Sequence, residues 1–264
     1  ATDVTMTAGS GTISVEDITT DINDVQLTST GGISLDGNIT TATDSDETGN
    51  ESGVVTLTGP VTLAGNTTID TDSDSNNGAV TLTSTVDGGN TLTITSGSGA
   101  VQFGGNVGAT TAISDLTVNS TGGTGAITFS GNVGASATSA GAAVVTIGNA
   151  ATASITFAGV EFTTSGLQLF TADAYSITGA DSTFGSSNDN ITFADGGADG
   201  GITLADIADL TITTEIGGTG GGNIAVNIPI AGTAGDGDDA TDVTMTAGSG
   251  TISVEDITTD INDV

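Results

Sequence analysis

The stretch GAVQFGGNV at residues 99–107 decides the fold, because it recurs along the chain with its apolar positions kept. It reads GAVTLTSTV at 78–86, GAITFSGNV at 125–133 and ASITFAGV at 153–160. In each copy apolar and polar residues alternate with a period of two, which is typical of a strand with one buried side. The chain is therefore predicted to be built from short strands that belong to a repeated unit.

A second strand-like phrase lies between these copies, as TLTI at 91–94, DLTV at 115–118, VVTI at 144–147 and GLQL at 166–169. The same two phrases can be followed towards both ends, as DVTM with GTISV within 2–15, DVQL with GGISL at 24–35, and DLTI with GNIAV at 209–226. Each unit is predicted to contain two strands and a short third one, separated by turns. The units are roughly 21–29 residues long, so about ten of them fill 239 residues.

These units predict an all-β fold, a parallel β-helix (β-solenoid) with one coil per unit. Equivalent side chains of neighbouring coils would lie about 4.8 Å apart, so that like residues stack. Gly78, Gly99 and Gly125 are expected at corners that need positive φ. An antiparallel sandwich array is the structural alternative, but it calls for longer domains with Pro-marked linkers, and the chain has two Pro. The side chains expected to form an inner aromatic ladder are Phe103, Phe129, Phe157 and Phe193, and those expected in outer rows are Thr81, Thr117, Thr128, Thr146, Thr156 and Thr192.

The segment at residues 1–25, ATDVTMTAGSGTISVEDITTDINDV, is identical to the segment at 240–264. We interpret residues 1–239 as one solenoid repeat and 240–264 as the start of the next, in a continuous rod without true domain boundaries. Either the copies are covalent in one long chain, or separate subunits stack end to end. The duplication favours the covalent form, because a stacking subunit has no need to carry the start of the next copy.

The composition excludes several classes of function. The chain has no Lys, Arg, His or Cys and 32 acidic residues, for a net charge of −32. Nucleic-acid binding needs a basic surface, as does binding to anionic membranes, and zinc or iron sites normally use Cys or His. Carboxylates alone could support glycoside hydrolysis, but no basic residue is present to hold a sugar, so we expect no enzyme activity. No apolar run approaches the ~18 residues of a membrane span, so no membrane insertion is expected.

Oxygen-ligand metals such as Ca²⁺ remain compatible with the composition. The sharpest local signal is DTDSDSNNG at 70–78, where Asp70, Asp72 and Asp74 alternate before Gly78; a weaker one is TDSDETGNE at 43–51, with Asp44, Asp46 and Glu47. The first segment does not complete an EF-hand loop, because Leu or Thr residues stand where the bidentate Glu would be. Both are candidate Ca²⁺ loops, and the other interpretation is a solvated acidic loop bulging from one coil; no cofactor is otherwise expected.

Two further surface features are open to more than one interpretation. Outward Thr rows could bind ice or a crystalline surface, although regular T-x-T pairs are missing. Five sequons are candidate glycosylation sites, although a chain rich in Thr, Ser and Asn acquires some by chance. They are Asn38, Asn50, Asn66, Asn119 and Asn190.

The phrases GAVTLTSTVDGGNTLTITSGSGAVQFGGNVG at 78–108 and LTVNSTGGTGAITFSGNVGA at 116–135 resemble the β-strand repeats of giant secreted prokaryotic surface proteins, the filamentous-haemagglutinin-like adhesins. The resemblance covers about 50–235 well and the flanks moderately. It implies a right-handed β-helix that extends from a cell. The complete absence of Lys and Arg departs from what that family leads us to expect.

Taken together, the pattern and the resemblance predict a structural repeat of an extracellular or cell-surface fibre or adhesin stalk, used for adhesion, matrix or reach. Its expected partners are further copies of itself, end to end, with surface glycans as a second class and no nucleic acid. The alternative is a Ca²⁺-binding or glycan- or surface-binding module, with ice binding less favoured.

Overall fold

The structure is a computed structural model that describes residues 2–42, 52–73, 76–134, 142–159, 161–198, 200–205, 209–217, 220–232, 241–258 and 261–263. In these residues the regular secondary structure is entirely β. The first strands are β1 Val4–Thr7, β2 Ile13–Val15, β3 Ile18–Thr19, β4 Val25–Thr28, β5 Ile33–Leu35, β6 Ile39–Thr40, β7 Val55–Thr58, β8 Val61–Leu63, β9 Thr67–Asp70, β10 Val80–Leu82, β11 Val86–Asp87, β12 Leu92–Thr95, β13 Val101–Phe103, β14 Ile113–Val118 and β15 Ile127–Phe129. The remaining strands are β16 Ala142–Gly148, β17 Ile155–Phe157, β18 Glu161–Thr164, β19 Gln168–Ala172, β20 Tyr175–Ile177, β21 Asp181–Ser186, β22 Ile191–Asp195, β23 Ile202–Leu204, β24 Asp209–Thr213, β25 Ile224–Asn227, β26 Ile230–Gly232, β27 Thr241–Thr246, β28 Ile252–Val254, β29 Ile257–Thr258 and β30 Ile261–Asp263.

The strands form three parallel faces, which the chain visits in turn. Face 1 is the sheet β1-β4-β7-β10-β13-β15-β17-β20-β23-β26-β29. Face 2 runs β2-β5-β8-β11, continues through single bridges at Val107 and Val133, and ends in β18-β21-β24-β27-β30. Face 3 is β3-β6-β9-β12-β14-β16-β19-β22-β25-β28, and β16 also touches β18 through Ala142 and Thr164. One strand position on each face makes one coil.

This architecture is a parallel β-solenoid, as the sequence predicts. Val80 pairs with Val101, Val101 with Ile127, and Ile127 with Ile155, so the recurring phrase stacks on itself in the expected register. Along face 1 the coils differ in length, from the short step 155–175 to the long step 25–55. This range is slightly wider than predicted at both ends, because the loops between strands can lengthen or shorten without disturbing the pairing.

The interior is a continuous apolar column filled by alternate residues of each strand. Every inward apolar residue of β4 to β13 is at most 2% exposed. Aromatic rings widen the middle of the column. Phe103 stacks on Phe129 at a centroid distance of 4.7 Å, and Phe129 on Phe157 at 5.8 Å. Burial raises the pKa of Tyr175, whose hydroxyl donates to the Ala194 carbonyl at 2.6 Å.

Two details of the predicted interior are wrong. Phe193 does not extend the face 1 ladder but stacks on Phe170 of face 3, at 4.9 Å. The phrase GLQL also lies one residue out of the expected register, since Val145 pairs with Gln168 rather than with a leucine. Because strand side chains alternate, this slip turns Leu167 and Leu169 outward and buries Gln168 and Phe170.

The buried Gln168 joins two faces, which is why a polar side chain can occupy this core position. Its Nε2 donates to the carbonyl oxygens of Phe162 at 3.1 Å and Gly185 at 2.8 Å, both on face 2. These hydrogen bonds offset part of the cost of removing the amide from water, while the buried Oε1 has no hydrogen-bond partner among the described residues. The same hydrogen bonds join β19 to the neighbouring strands β18 and β21, where apolar side chains would make only non-directional contacts.

The corner between face 3 and face 1 is closed by a glycine column and a hydroxyl column. A Cβ on Gly99 would lie within 3.0 Å of the Gly78 carbonyl oxygen, and Gly78 and Gly125 have the same relation to the glycine one coil before. None of the three has positive φ, so the predicted reason for these glycines is wrong; close backbone approach requires them instead. The Gly99 carbonyl accepts from the buried Ser96 hydroxyl at 2.7 Å.

Candidate functional site

Both acidic segments predicted to bind Ca²⁺ belong to the connection from face 3 to face 1, in consecutive coils. One follows β6 and the other follows β9. Beside them, the backbone N–H of Ser52 donates to the Asn76 carbonyl at 2.8 Å, which joins the two connections. Asp44, Asp46, Glu47 and Asp74 lie outside the described residues.

The described part of the 70–78 loop is held by its own side chains. The Asp70 Oδ1 accepts from the backbone N–H of Asp72 at 3.0 Å, and the Asp72 Oδ1 accepts from Asn77 Nδ2 at 3.0 Å. Asn77 Oδ1 in turn accepts from the Ser73 N–H at 2.7 Å. These hydrogen bonds hold the loop in a turn, with carboxylate oxygens of Asp70 and Asp72 among the acceptors. Among the described residues, no three acidic side chains lie close enough together to hold one metal ion. Ca²⁺ binding by this loop stays a prediction.

Other aspartates have a structural role that the sequence reasoning missed. Asp24 Oδ1 accepts from the backbone N–H of Val54 at 2.8 Å, and the N–H of Asp24 donates to Asp3 Oδ1 at 3.2 Å. An Asp or Asn immediately before the first inward residue of a strand thus binds the N–H one coil further on. The same hydrogen bond recurs along the rod. The side-chain oxygen of the first residue accepts from the backbone N–H of the second in the pairs Asp17 and Asn38, Asn38 and Thr68, Asn66 and Thr91, Asn106 and Asn132, Asn132 and Glu161, Asn190 and Asn223, Asp209 and Asp242, and Asn223 and Thr251. The detectable signal is an Asp or Asn directly before the first inward residue of a strand, a position that it occupies in some strands and not in others.

A column of buried hydroxyl groups was also missed. Thr41 donates to the Gly53 carbonyl at 2.8 Å and Thr71 to the Gly78 carbonyl at 2.6 Å, as Ser96 does to Gly99. Each hydroxyl lies two residues after the last inward apolar residue of a face 3 strand, as in Ile69–Thr71. Because the glycine carbonyls point into the corner, an apolar side chain at these positions would leave them without a partner.

The candidate glycosylation sites fall into three groups. Asn38, Asn66 and Asn190 are exposed at corners, where each amide oxygen accepts from the next coil. Asn119 is 1% exposed, and both its amide atoms bond to Ser96, so folding leaves little room for a glycan there. Asn50 lies outside the described residues. Modification of the exposed sites stays a prediction.

Among the described residues, two small crevices lie beside groups already described. One crevice of about 200 Å³ lies beside the rings of Phe129, Phe157, Phe162 and Phe184. Another, of about 360 Å³, is bordered by Asp3 and Asp24, whose carboxylates accept backbone hydrogen bonds as described above. The described part of the chain contains no helix that is long and apolar enough to cross a membrane.

The fold and its surface define a class, a three-faced parallel β-solenoid with acidic corner loops. No family model, curated protein or solved structure matches the chain. The resemblance to adhesin repeats therefore stays a prediction, and the functional argument depends on the chain's own geometry.

Proposed function

We propose that this chain is a structural repeat of an extracellular or cell-surface fibre or stalk, a rod for adhesion, matrix building or reach. The observation that carries the proposal is the unbroken stack: within the described residues, face 1 joins eleven strands from Val4 to Ile257, each paired with the next. The identity of segments 1–25 and 240–264 supports continuation of this stack by further copies.

The geometry supports a mechanical role for the rod. Every ladder hydrogen bond between coils runs roughly along the stacking axis, and each coil contacts mainly its two neighbours. Such a stack can be lengthened by adding identical repeats without redesigning the core. It also hides the sheet edges of all interior coils, which would otherwise pair with other chains.

The proposal predicts that length scales with repeat number. Between Val4 and Val243 lie nine coils and one further strand position, so each copy of 1–239 should add about 45 Å at the spacing of paired strands. Proteins with one, two and four copies of residues 1–239, measured by electron microscopy, test this. Rods whose length rises linearly are expected; separate globules, or a length that does not grow with copy number, would contradict the proposal.

Calcium binding is the second candidate function, favoured by the position of two acidic segments at one corner in consecutive coils. With a net charge of −32 and no basic residue, the folded chain repels itself, and salt should screen this repulsion. We expect the melting temperature to rise by about 5 °C, or about 2 kcal/mol, between low and moderate NaCl. Thermal unfolding followed by circular dichroism measures this.

A specific calcium site requires more than screening. At a Ca²⁺ concentration 100 times the Kd, one site would add about 2.7 kcal/mol beyond a Mg²⁺ control of equal ionic strength. Asp72→Asn should remove that extra increment, whereas Asp36→Asn, at an exposed position, should leave it unchanged. Equal effects of Ca²⁺ and Mg²⁺ would leave a salt-screened rod and no specific site.

A further inference from the structure

The two copies of the terminal sequence, at 1–25 and 240–264, occupy different faces of the solenoid. In the first copy Val4 lies on face 1, where it pairs with Val25. In the second copy the equivalent residue, Val243, lies on face 2, where it pairs with Leu210. The same residues in the same order therefore take different positions around the rod.

The displacement is the same for all three strands of the copy. Ile13 lies on face 2, but its equivalent Ile252 pairs with Ile224 on face 3. Ile18 lies on face 3, but its equivalent Ile257 pairs with Ile230 on face 1. Each strand has moved forward by one face, so the copy has turned as a unit around the axis.

The count of strand positions gives the physical reason. Twenty-six strands and the two bridge positions at Val107 and Val133 precede β27, which makes 28 positions. Since each coil uses three positions, 28 positions are nine coils and one position more. The faces do not resist this shift, because each accepts the same apolar-polar-apolar strand with its apolar side chains inward.

We propose that successive repeats of this rod are rotated by one face, about a third of a turn, in addition to the ordinary twist of the solenoid. This inference rests on the proposed tandem arrangement. The orientation returns after three repeats, because three times 28 positions, at three positions per coil, make 28 complete coils. At the paired-strand spacing this distance is about 134 Å.

The rotation determines how the surface is presented to partners. The acidic connections after β6 and β9 lie between faces 3 and 1 in one repeat, between faces 1 and 2 in the next, and between faces 2 and 3 in the third. Each feature thus forms three rows around the rod, and within one row it recurs only every third repeat. Such a rod suits partners that approach from all sides rather than a flat crystalline surface lying along one side.

Engineered disulfides can test which face each strand of the second copy occupies, because the chain has no natural cysteine. Outward residues of paired strands lie about 4.8 Å apart, within the Cα separation that a disulfide spans. The rotated arrangement pairs Thr211 with Thr244 on face 2 and Ala231 with Thr258 on face 1. An unrotated second copy would instead place Thr244 beside Ala231 on face 1.

Three double variants separate these arrangements. After mild oxidation, Thr211→Cys/Thr244→Cys and Ala231→Cys/Thr258→Cys are expected to lose their free thiols, whereas Ala231→Cys/Thr244→Cys should keep them. Alkylation followed by intact-mass measurement counts the free thiols that remain. Cross-linking in the third variant, with free thiols in the first two, would overturn the inference. The same variants should behave alike with a second full copy appended, where β27 is no longer near the end.

A reference pair keeps this inference separate from the proposed function. Thr81 and Gln102 are paired outward residues in the middle of face 1, so Thr81→Cys/Gln102→Cys should cross-link whether or not the second copy is rotated. If this pair also failed to cross-link, the stacked coils themselves, and with them the proposed rod, would be wrong. If it formed while the three test variants showed the unrotated pattern, only the rotation would be wrong.

Discussion

Replacing Phe157 with alanine is expected to lower the free energy of unfolding by about 3–5 kcal/mol, the cost of removing a fully buried ring. Phe157 is 2% exposed, and its ring stacks on Phe129 and meets Phe162, Phe170 and Phe184 edge to face, with centroids 4.9–5.8 Å apart. It is the point where the aromatic columns of all three faces meet. Its loss would open a cavity that neighbouring coils cannot fill without breaking their pairing.

Urea unfolding followed by circular dichroism measures this effect. Phe157→Leu should cost clearly less, since it keeps most of the apolar volume. The matched surface variant is Thr156→Ala, one residue away on the outward side of the same strand, and it should change stability by less than about 1 kcal/mol. A Phe157→Ala protein as stable as its Thr156→Ala counterpart would show that the three faces do not share one aromatic core.

Gly99→Ala is expected to cost about 2–3 kcal/mol, although alanine fits the backbone conformation there. The added Cβ would collide with the Gly78 carbonyl oxygen, which belongs to the rigid ladder of the preceding coil. The backbone cannot withdraw freely, because the Gly99 carbonyl also accepts the Ser96 hydroxyl. The expected effect is therefore a local separation of two coils at the corner between face 3 and face 1.

The control for this variant is Gly89→Ala. Gly89 is exposed, has no positive φ, and a Cβ there would meet no atom within 4 Å. Alanine should leave stability unchanged or raise it slightly, because it restricts the unfolded chain. The difference between the two variants in urea midpoint isolates the contact from the general effect of replacing glycine. Equal midpoints would mean that the glycine column does not limit the spacing of coils.

Much of the fold could be predicted from local pattern. The alternation of Ile127, Thr128 and Phe129 predicts which side chains are buried, and the recurring phrase predicts the register across four coils. The prediction failed at GLQL, where the leucines matched the phrase better than the true inward pair, Gln168 and Phe170. A buried glutamine cannot be recognised without the face 2 carbonyls that it binds.

The candidate site was less predictable for a similar reason. Composition alone identifies acidic loops, but it does not distinguish an aspartate that binds an N–H one coil away from one that accepts a hydrogen bond from a neighbour in its own loop. Asp24 and Asp72 look alike in sequence. Asp24 lies at a corner beside the strand ladder and accepts from Val54 of the next coil, whereas Asp72 lies inside a loop and accepts from Asn77 of that loop.

The sequence by itself predicted the parallel stack, since a period-two pattern in short repeated units fits strands that stack on their equivalents and is too short for separate sandwich domains. Its lack of Lys, Arg and His is also the basis for expecting no function that needs basic side chains. Only the tertiary structure decided which face each strand occupies. The three faces accept the same short apolar-polar-apolar strand, so position around the rod depends on the winding of the whole chain. Identical sequences at Val4 and Val243 consequently lie on different faces.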